Sequence, residues 1–161
     1  MEIKLLTIDN LNAVKELSDE LLPEHHIYDF WYNAVASEGI YSYVLIDNKK
    51  ICGCVVGCFI DGDVEILSFG VHPDYRNKGY GDKLLTRFLK SNRHHKKITL
   101  HVRMSNKIAY EMYCNHKFCL RRYVDKYYRT PVETAIVMDL VYPFSFWISF
   151  QECLGINKCL V

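Results

Sequence analysis

The sequence predicts a single domain of mixed α+β class whose strands are mostly antiparallel. Its 161 residues match the usual length of one domain. Half of the residues are apolar and 24% are charged, which is typical of a globular chain and not of a disordered one. The class follows from the order of the elements, because strands joined by short turns come first and strands alternating with helices follow.

The first forty residues predict one strand and two helices. Asp9 or Asn10 can cap a helix whose apolar residues recur at helical spacing, and Pro23 ends it. The aromatic-rich stretch that follows lacks a clear period and predicts a loop that runs into a short helix. The predicted elements are a strand over residues 2–7, a helix over 11–21 and a helix over about 29–36.

Three strands joined by tight turns follow. Asp61-Gly62-Asp63 indicates a hairpin, because glycine accepts the positive φ that such turns require. Another turn is predicted at residues 47–49, between the first and second of these strands. The predicted strands cover residues 41–46, 50–60 and 64–71.

The last part of the domain alternates helices with strands. An apolar stripe over residues 82–89 indicates a helix, and Ser105 or Asn106 can cap another. The remaining predicted elements are that second helix, through Tyr113, and strands over residues 97–103, 117–124 and 134–141. The prediction is therefore a sheet of about seven strands with about four helices.

The charge and the cysteine content argue against several classes of partner and location. Twenty basic and nineteen acidic residues give a net charge of +1, which does not support a nucleic-acid partner. The first ten residues lack the features of a signal peptide, and no apolar run reaches the roughly 18 residues of a spanning helix. Seven cysteines, an odd number, favour free thiols in a reducing compartment, so we expect a cytoplasmic protein.

No metal site is expected at the cysteine cluster. Alternation along a strand would place Cys52, Cys54 and Cys58 on one face, where they could supply zinc ligands. Ligands in line along a strand spread over about 13 Å, which is too far for one tetrahedral ion.

The segment Arg76-Asn77-Lys78-Gly79-Tyr80-Gly81 stands between a predicted strand and a predicted helix. Its two glycines let the backbone approach a ligand closely, and the first amides of the helix point outward at the positive end of the helix dipole. With its basic residues it can cradle a pyrophosphate; the alternative is a plain turn with solvated basic side chains. It matches neither a Walker A loop nor a dinucleotide fingerprint.

Residues 64–81 resemble the acetyl-CoA motif of the GNAT acetyltransferases. The family pattern is a strand, then V-x-P-x-x-[RQ]-x-x-G-x-G/A, then a helix, and every element is present, with Arg76 at the [RQ] position. Residues 100–106 and 109–113 resemble the second conserved block of the family. Phe118 fits the GF position that follows, although Lys117 stands where glycine is usual.

The resemblance covers about residues 2–141 and implies the GNAT fold, a central and mostly antiparallel twisted sheet. It implies acetyl-CoA as the co-substrate, without a metal. The residues that it assigns to acetyl-CoA binding are Phe69, Gly70, Val71, Arg76, Asn77, Lys78, Gly79, Tyr80, Gly81, Asp82, Asn106 and Tyr113.

Further details resemble the protein N-α-acetyltransferases, which acetylate polypeptide N-termini. L-H-V-x-x-S-N with His101 is close to one branch of that group, and paired tyrosines after the sixth strand match a loop that closes over the peptide. A leucine and a proline followed by aromatics resemble its peptide-binding loop, here one residue longer than expected. The substrate-contacting residues implied are Leu22, Pro23, His26 or Tyr28, Tyr127 and Tyr128. Auxiliary or ribosome-associated subunits are implied as partners.

The resemblance implies direct attack of an amine on the thioester, which needs a base and an acid. Glu65 stands where lysine-acetylating members place their glutamate, and His101 lies on the next strand, so either can be the base. Tyr113 is the candidate acid for the leaving thiolate. The leading prediction is N-terminal acetylation; the alternatives are a lysine or small-amine acetyltransferase and a non-catalytic CoA-binding subunit.

The final segment, residues 142–161, is too apolar for a solvated coil. We expect an extra helix packed on the domain or a dimer contact. Membrane contact is less favoured, because the segment lacks the basic polar face of an interfacial anchor.

Overall fold

A seven-stranded sheet and four α-helices are formed by residues 1–23 and 28–143, the part of the chain that this computed structural model describes. The predicted mixed α/β class is confirmed. The strands are β1 (Glu2–Leu5), β2 (Tyr43–Asp47), β3 (Lys50–Ile60), β4 (Asp63–Val71), β5 (Lys97–Arg103), β6 (Cys119–Arg129) and β7 (Val132–Val141). The helices are α1 (Leu11–Leu21), α2 (Tyr28–Ala36), α3 (Tyr80–Ser91) and α4 (Lys107–Asn115).

The strand order β1-β2-β3-β4-β5-β7-β6 contains one parallel pair, β4 and β5. These two strands pair over three positions, from Val64 opposite Ile98 to Ile66 opposite Leu100. β4 then continues to Val71 along β3, while β5 continues along β7. The two strands therefore diverge and open a cleft in the middle of the sheet.

The helices cover the two faces of the sheet in pairs. On one face, α3 and α4 pack on a cluster of buried residues that includes Ile98, Leu100 and Val102 of β5. On the other face, α1 and α2 pack on a second cluster centred on Trp31. Because side chains alternate along a strand, His101 of β5 points away from the α3–α4 face.

The predicted boundaries of β3 and β5 are confirmed at both ends, whereas β6 is longer than predicted. The sequence predicted that this strand ends at residue 124, but it continues to Arg129. A register shift between Val124 and Tyr128 interrupts the alternation there and hides the continuation. Tyr127 and Tyr128 consequently lie in the last part of the strand, not in a loop after it.

The prediction that Cys52, Cys54 and Cys58 share one face of β3 is wrong. Cys52 packs in the cluster under α3, and Cys54 packs in the cluster under α1. The cause is a register shift, in which Ile46 pairs with Ile51 but the neighbouring Leu45 pairs with Gly53. Within the described residues, no group of three metal-binding side chains lies together.

The close contact of β3 with α3 predicts that Gly57→Ala destabilises the fold. A Cβ at Gly57 would lie 2.7 Å from Cζ of Phe88, which is fully buried, so the ring or the strand must shift. Overpacking of this kind costs about 1–3 kcal/mol, which urea unfolding would measure as a lower midpoint. Gly81→Ala is the control, since its Cβ would lie 3.6 Å from Phe69 Cζ, an ordinary contact, and alanine favours the helix.

Of the predicted C-terminal helix, the structure describes Tyr142 and Pro143, and residues 144–161 lie outside the described part. The Tyr142 N–H donates to the Lys96 carbonyl at 3.0 Å, and its hydroxyl donates to the Leu89 carbonyl at 3.2 Å. These bonds fix the end of β7 against the connection from α3 to β5. None of the described helices is long and apolar enough to cross a membrane.

Candidate active site at the cleft between β4 and β5

The glycine-rich segment connects β4 to the start of α3. Gly79 caps this helix with a φ of 72°, in the left-handed region that favours glycine. A Cβ at Gly79 would meet no other atom within 4 Å, so the space in front of the helix is open. The amides of the first turn have no partner within the helix. This open helix start fits a phosphate group, whose charge is favoured at that end of the helix dipole.

The basic residues of the segment donate to backbone carbonyls of the residues that precede it. Nε of Arg76 donates to the carbonyl of Val71 at 2.8 Å, and Nζ of Lys78 donates to the carbonyl of Asp74 at 2.8 Å. Both bonds brace the loop while keeping two positive charges beside the start of α3. We call the loop and this first turn, residues 76–82, the cradle.

Other residues assigned to acetyl-CoA binding stand at the end of β4 and at the start of α4. Phe69, Gly70 and Val71 form the end of β4, beyond the point where it leaves β5. Asn106 caps α4, and its Oδ1 accepts the N–H of Ala109 at 3.1 Å. A Cβ at Gly81 would lie within 4 Å of Phe69, Val71 and Met112, so the cradle packs against the end of β4 and against α4.

Glu65 and His101, the two candidate bases, form one pair at the point of divergence. Oε1 of Glu65 lies 2.9 Å from Nδ1 of His101, and the two side chains are 19% and 16% exposed. A carboxylate only accepts hydrogen bonds, so the Nδ1–H of the imidazole is the donor. Nε2 then carries the lone pair and is the ring nitrogen that can accept a proton.

The two tyrosines at the end of β6 cover this pair. The ring of Tyr127 stacks on that of His101, with 4.5 Å between centroids and 6° between planes. Tyr128 is buried and meets Tyr127 edge-on at 5.0 Å. The structure thus brings Glu65, His101 and both tyrosines together, as the sequence could not show.

A cavity of about 150 Å³ opens beside the Glu65–His101 pair, on the face away from α3 and α4. Its charged lining comes from the turn before β4, from the first residues of β4 and β5, and from β6, whereas Ile60 and Val137 are apolar. The lining residues are Ile60, Asp61, Asp63, Glu65, Lys97, Thr99, His101, Arg121, Arg122 and Val137. An acceptor that occupied this space would contact the pair directly.

Cys58 stands opposite Glu65 in the ladder between β3 and β4. Burial, and after it the negative charge of Glu65, raise the pKa of the Cys58 thiol to about 11. The thiol is therefore protonated at neutral pH and is a poor nucleophile. This favours direct transfer over an acyl-cysteine step.

Tyr113, the candidate acid, lies on the opposite side of the cleft. Its side chain is 6% exposed in the cluster under α4, and its ring packs 6.1 Å from that of Phe69 and 5.7 Å from that of Phe118. Burial raises the pKa of the Tyr113 phenol well above its usual range, so the hydroxyl keeps its proton. It can act as a donor and not as a base.

The residues predicted to bind the acceptor between α1 and α2 are only partly described. Leu22 follows α1 and is half-buried, Pro23 is exposed, and Tyr28 begins α2 with 46% of its surface exposed. His26 lies in residues 24–27, outside the described part. Their contact with an acceptor stays a prediction.

Sequence reasoning missed Arg103 and Glu133, which join the cleft to the hairpin of β6 and β7. Nη1 of Arg103 donates to Oε2 of Glu133 at 3.1 Å, and both side chains are less than 20% exposed. The one sequence signal that points to Arg103 is its position on β5, where it follows Thr99 and His101 at alternate residues. Its partner is thirty positions away and has no signal of its own.

Comparison with known proteins places this chain in a family. The model of the acetyltransferase (GNAT) family matches residues 7–118. N-alpha-acetyltransferase 60 of Xenopus tropicalis is 29% identical, over 78% of this chain and 62% of that protein, so the chain spans about three fifths of that relative. N-alpha-acetyltransferase daf-31 of Caenorhabditis elegans is 28% identical, over 80% of this chain and 76% of that protein.

The fold agrees with a solved structure. Arabidopsis thaliana NAA60 in complex with acetyl-CoA superposes with a TM-score of 0.77 at 17% identity, over 88% of this chain and 99% of the other. At that identity the likeness concerns the fold alone. The family model covers more than half of the chain and includes the acetyl-CoA motif, which confirms the resemblance seen in the sequence. The chain belongs to the acetyltransferase (GNAT) family.

Proposed function

We propose that this protein transfers the acetyl group of acetyl-CoA to the free α-amino group of polypeptide N-termini. The observation that carries the proposal is the Glu65–His101 pair at the divergence of β4 and β5, with Nδ1 held by the carboxylate. The names of the two relatives, both N-alpha-acetyltransferases, support the same acceptor.

The strength of the available base matches an α-amine. With a pKa near 7.8, about 14% of an α-amino group is neutral at pH 7, compared with about 0.04% of a lysine side chain near 10.4. An imidazole is therefore sufficient to take one proton from an N-terminal ammonium and leave the neutral amine. A lysine acceptor needs a stronger base or a larger shift of its own pKa.

Each side chain of the pair has a distinct role. Nε2 of His101 receives the proton that the attacking amine loses. Glu65 holds the ring through Nδ1–H and stabilises the imidazolium that forms, as a carboxylate does next to a catalytic histidine. The face of Tyr127 lies parallel to that ring and adds a favourable interaction with the positive charge.

The residues around the cradle fit acetyl-CoA. The open helix start at Gly79, with Arg76 and Lys78 beside it, would hold the pyrophosphate, and the end of β4 would bind the chain that leads to the thioester. When bound, acetyl-CoA supplies the activated acetyl group. We expect Tyr113 to donate a hydrogen bond to the departing sulfur, because burial raises the pKa of its phenol and the hydroxyl keeps its proton.

Tyr113→Phe is expected to lower kcat more than it changes KM. The hydroxyl acts chiefly in the transition state, where charge develops on sulfur, whereas the ring packing is kept. Steady-state kinetics with one peptide at saturating acetyl-CoA would measure the split. Phe118→Tyr adds a hydroxyl to a neighbouring buried ring and serves as a packing control. An unaltered kcat in Tyr113→Phe would leave the tyrosine as a core residue.

A thiol-release assay tests the proposed function. Each peptide contains one lysine and is supplied in two forms, one with a free N-terminus and one with an acetylated N-terminus. Polyamines complete the panel. We expect turnover of the free peptides alone. Glu65 favours a lysine-acetylating enzyme as the second candidate, and turnover of the blocked lysine peptides would establish it. Binding of CoA without turnover of any amine would indicate a non-catalytic subunit.

A further inference from the structure

The guanidinium of Arg103 lies where β5, the turn between β6 and β7, and Tyr128 meet. Nη1 donates to the carbonyl of Pro131 at 3.2 Å and to Glu133, and Nη2 donates to the carbonyl of Thr130 at 3.0 Å. The guanidinium also lies over the Tyr128 ring, 4.1 Å from its centroid. A planar group with several donors in a fixed fork is required to make all these contacts at once.

Tyr127 depends on side-chain contacts for its position. The register between β6 and β7 shifts between Val124 and Tyr128, so Tyr127 falls outside the regular ladder. Lys126, just before it, has a φ of 54° in the left-handed region. Among the ring contacts of Tyr127 are the stack on His101 and the edge-on contact with Tyr128, and Tyr128 is itself held under Arg103.

The same arginine reaches the α4 side of the cleft through Glu133. While Oε2 of Glu133 accepts from Arg103, its Oε1 accepts the N–H of Ser105 at 2.6 Å. Ser105 directly precedes Asn106, the cap of α4, and α4 carries Tyr113. Hydrogen bonding to Ser105, and to a smaller extent to Arg103, also keeps the pKa of the Glu133 carboxyl below its usual value, so the link stays charged.

We propose that Arg103 is a positioning residue that holds Tyr127 flat on His101 and ties this arrangement to the start of α4. It contacts neither of the reacting groups. It sets the geometry between the base on one side of the cleft and the helix of the candidate acid on the other. The kinetic part of this proposal rests on the proposed function, whereas the placement of Tyr127 does not.

Proton NMR of the histidine ring signals tests the placement without any substrate. The C2 proton of His101, identified by its loss in His101→Gln, should be shifted upfield by the stacked Tyr127 ring, and Tyr127→Leu should remove the shift. Arg103→Lys keeps the charge but not the fork, and should remove it as well. Tyr128→Leu should do the same, because Tyr128 is the ring that connects Arg103 to Tyr127. Arg129→Lys, at the exposed end of β6, is the control and should keep the shift.

Kinetics provides the second readout. Arg103→Lys should lower kcat/KM for a peptide by about 10²-fold, the cost of a displacement of about 1 Å, and leave the Kd for acetyl-CoA unchanged. Circular dichroism verifies the folding of each variant. If Arg103→Lys does not fold, the shift and the kinetics of Tyr128→Leu and Glu133→Gln test the proposal instead. An upfield shift retained in every folded variant of Arg103, Tyr128 and Glu133 would overturn the proposal. If the wild-type protein is inactive on all peptides but the variants lose the shift, the placement of Tyr127 is supported and the proposed function is rejected.

Discussion

His101→Ala is expected to lower kcat/KM for a peptide with a free N-terminus by about 10²–10⁴-fold, the usual contribution of a positioned acid–base group. The variant removes Nε2, the ring nitrogen that can accept a proton while Nδ1–H donates to Glu65. Binding of acetyl-CoA should not change, because the cradle lies at the other end of β4. The acid limb of the kcat/KM profile against pH should disappear in the variant, measured on one peptide.

Glu65→Gln is the informative comparison for that result. The amide oxygen still accepts the Nδ1–H of His101, but the negative charge that stabilises the imidazolium is lost. A smaller loss than in His101→Ala is therefore expected. His94→Ala, whose ring bonds to the carbonyl of Gly39, controls for the loss of a histidine elsewhere. A severe loss in Glu65→Gln with a nearly silent His101→Ala would assign the base to the carboxylate and favour a lysine acceptor.

Gly79→Asp is expected to abolish binding of acetyl-CoA while the fold is kept. The new carboxylate would stand in the open space before α3, where the pyrophosphate is expected. Two like charges 4 Å apart near a protein surface repel by about 4 kcal/mol, which corresponds to about 10³-fold in affinity. Asp tolerates the left-handed conformation better than most residues, so the backbone can stay in place.

Gly62→Asp is the matched control for the cradle. Gly62 also has a positive φ, 86°, and a Cβ there would likewise meet nothing within 4 Å. It lies in the turn between β3 and β4, at the opposite end of β4 from the cradle. Isothermal calorimetry with CoA should give unchanged affinity for Gly62→Asp and no measurable binding for Gly79→Asp. Equal affinities in the two variants would remove the cradle assignment.

The fold was largely predictable because its signals are local. The Asp61-Gly62-Asp63 turn and the apolar stripe of α3 each act within a few residues, and both elements appear where they were expected. Register shifts escaped prediction. Those at Cys52 and between Val124 and Tyr128 arise from pairing with a neighbouring strand, and they change which face a side chain occupies.

The site was predictable as a set of residues but not as an arrangement. Glu65 and His101 were separate candidates, since nothing in thirty-six positions of sequence shows that they share a hydrogen bond. Their contact follows from the parallel pairing of β4 with β5, a long-range feature. The same holds for Tyr127 on His101 and for Arg103 with Glu133, which pack only after the hairpin of β6 and β7 closes on β5.

The most direct test of the central claim is to determine which nitrogen of the product carries the acetyl group. A single peptide with a free N-terminus and one internal lysine would be incubated with the protein and acetyl-CoA, and tandem mass spectrometry would locate the acetyl group. Acetylation of the α-amine, dependent on His101 and undetectable on the lysine at early times, is the predicted result. Acetyl on the lysine with the N-terminus left free would contradict the account.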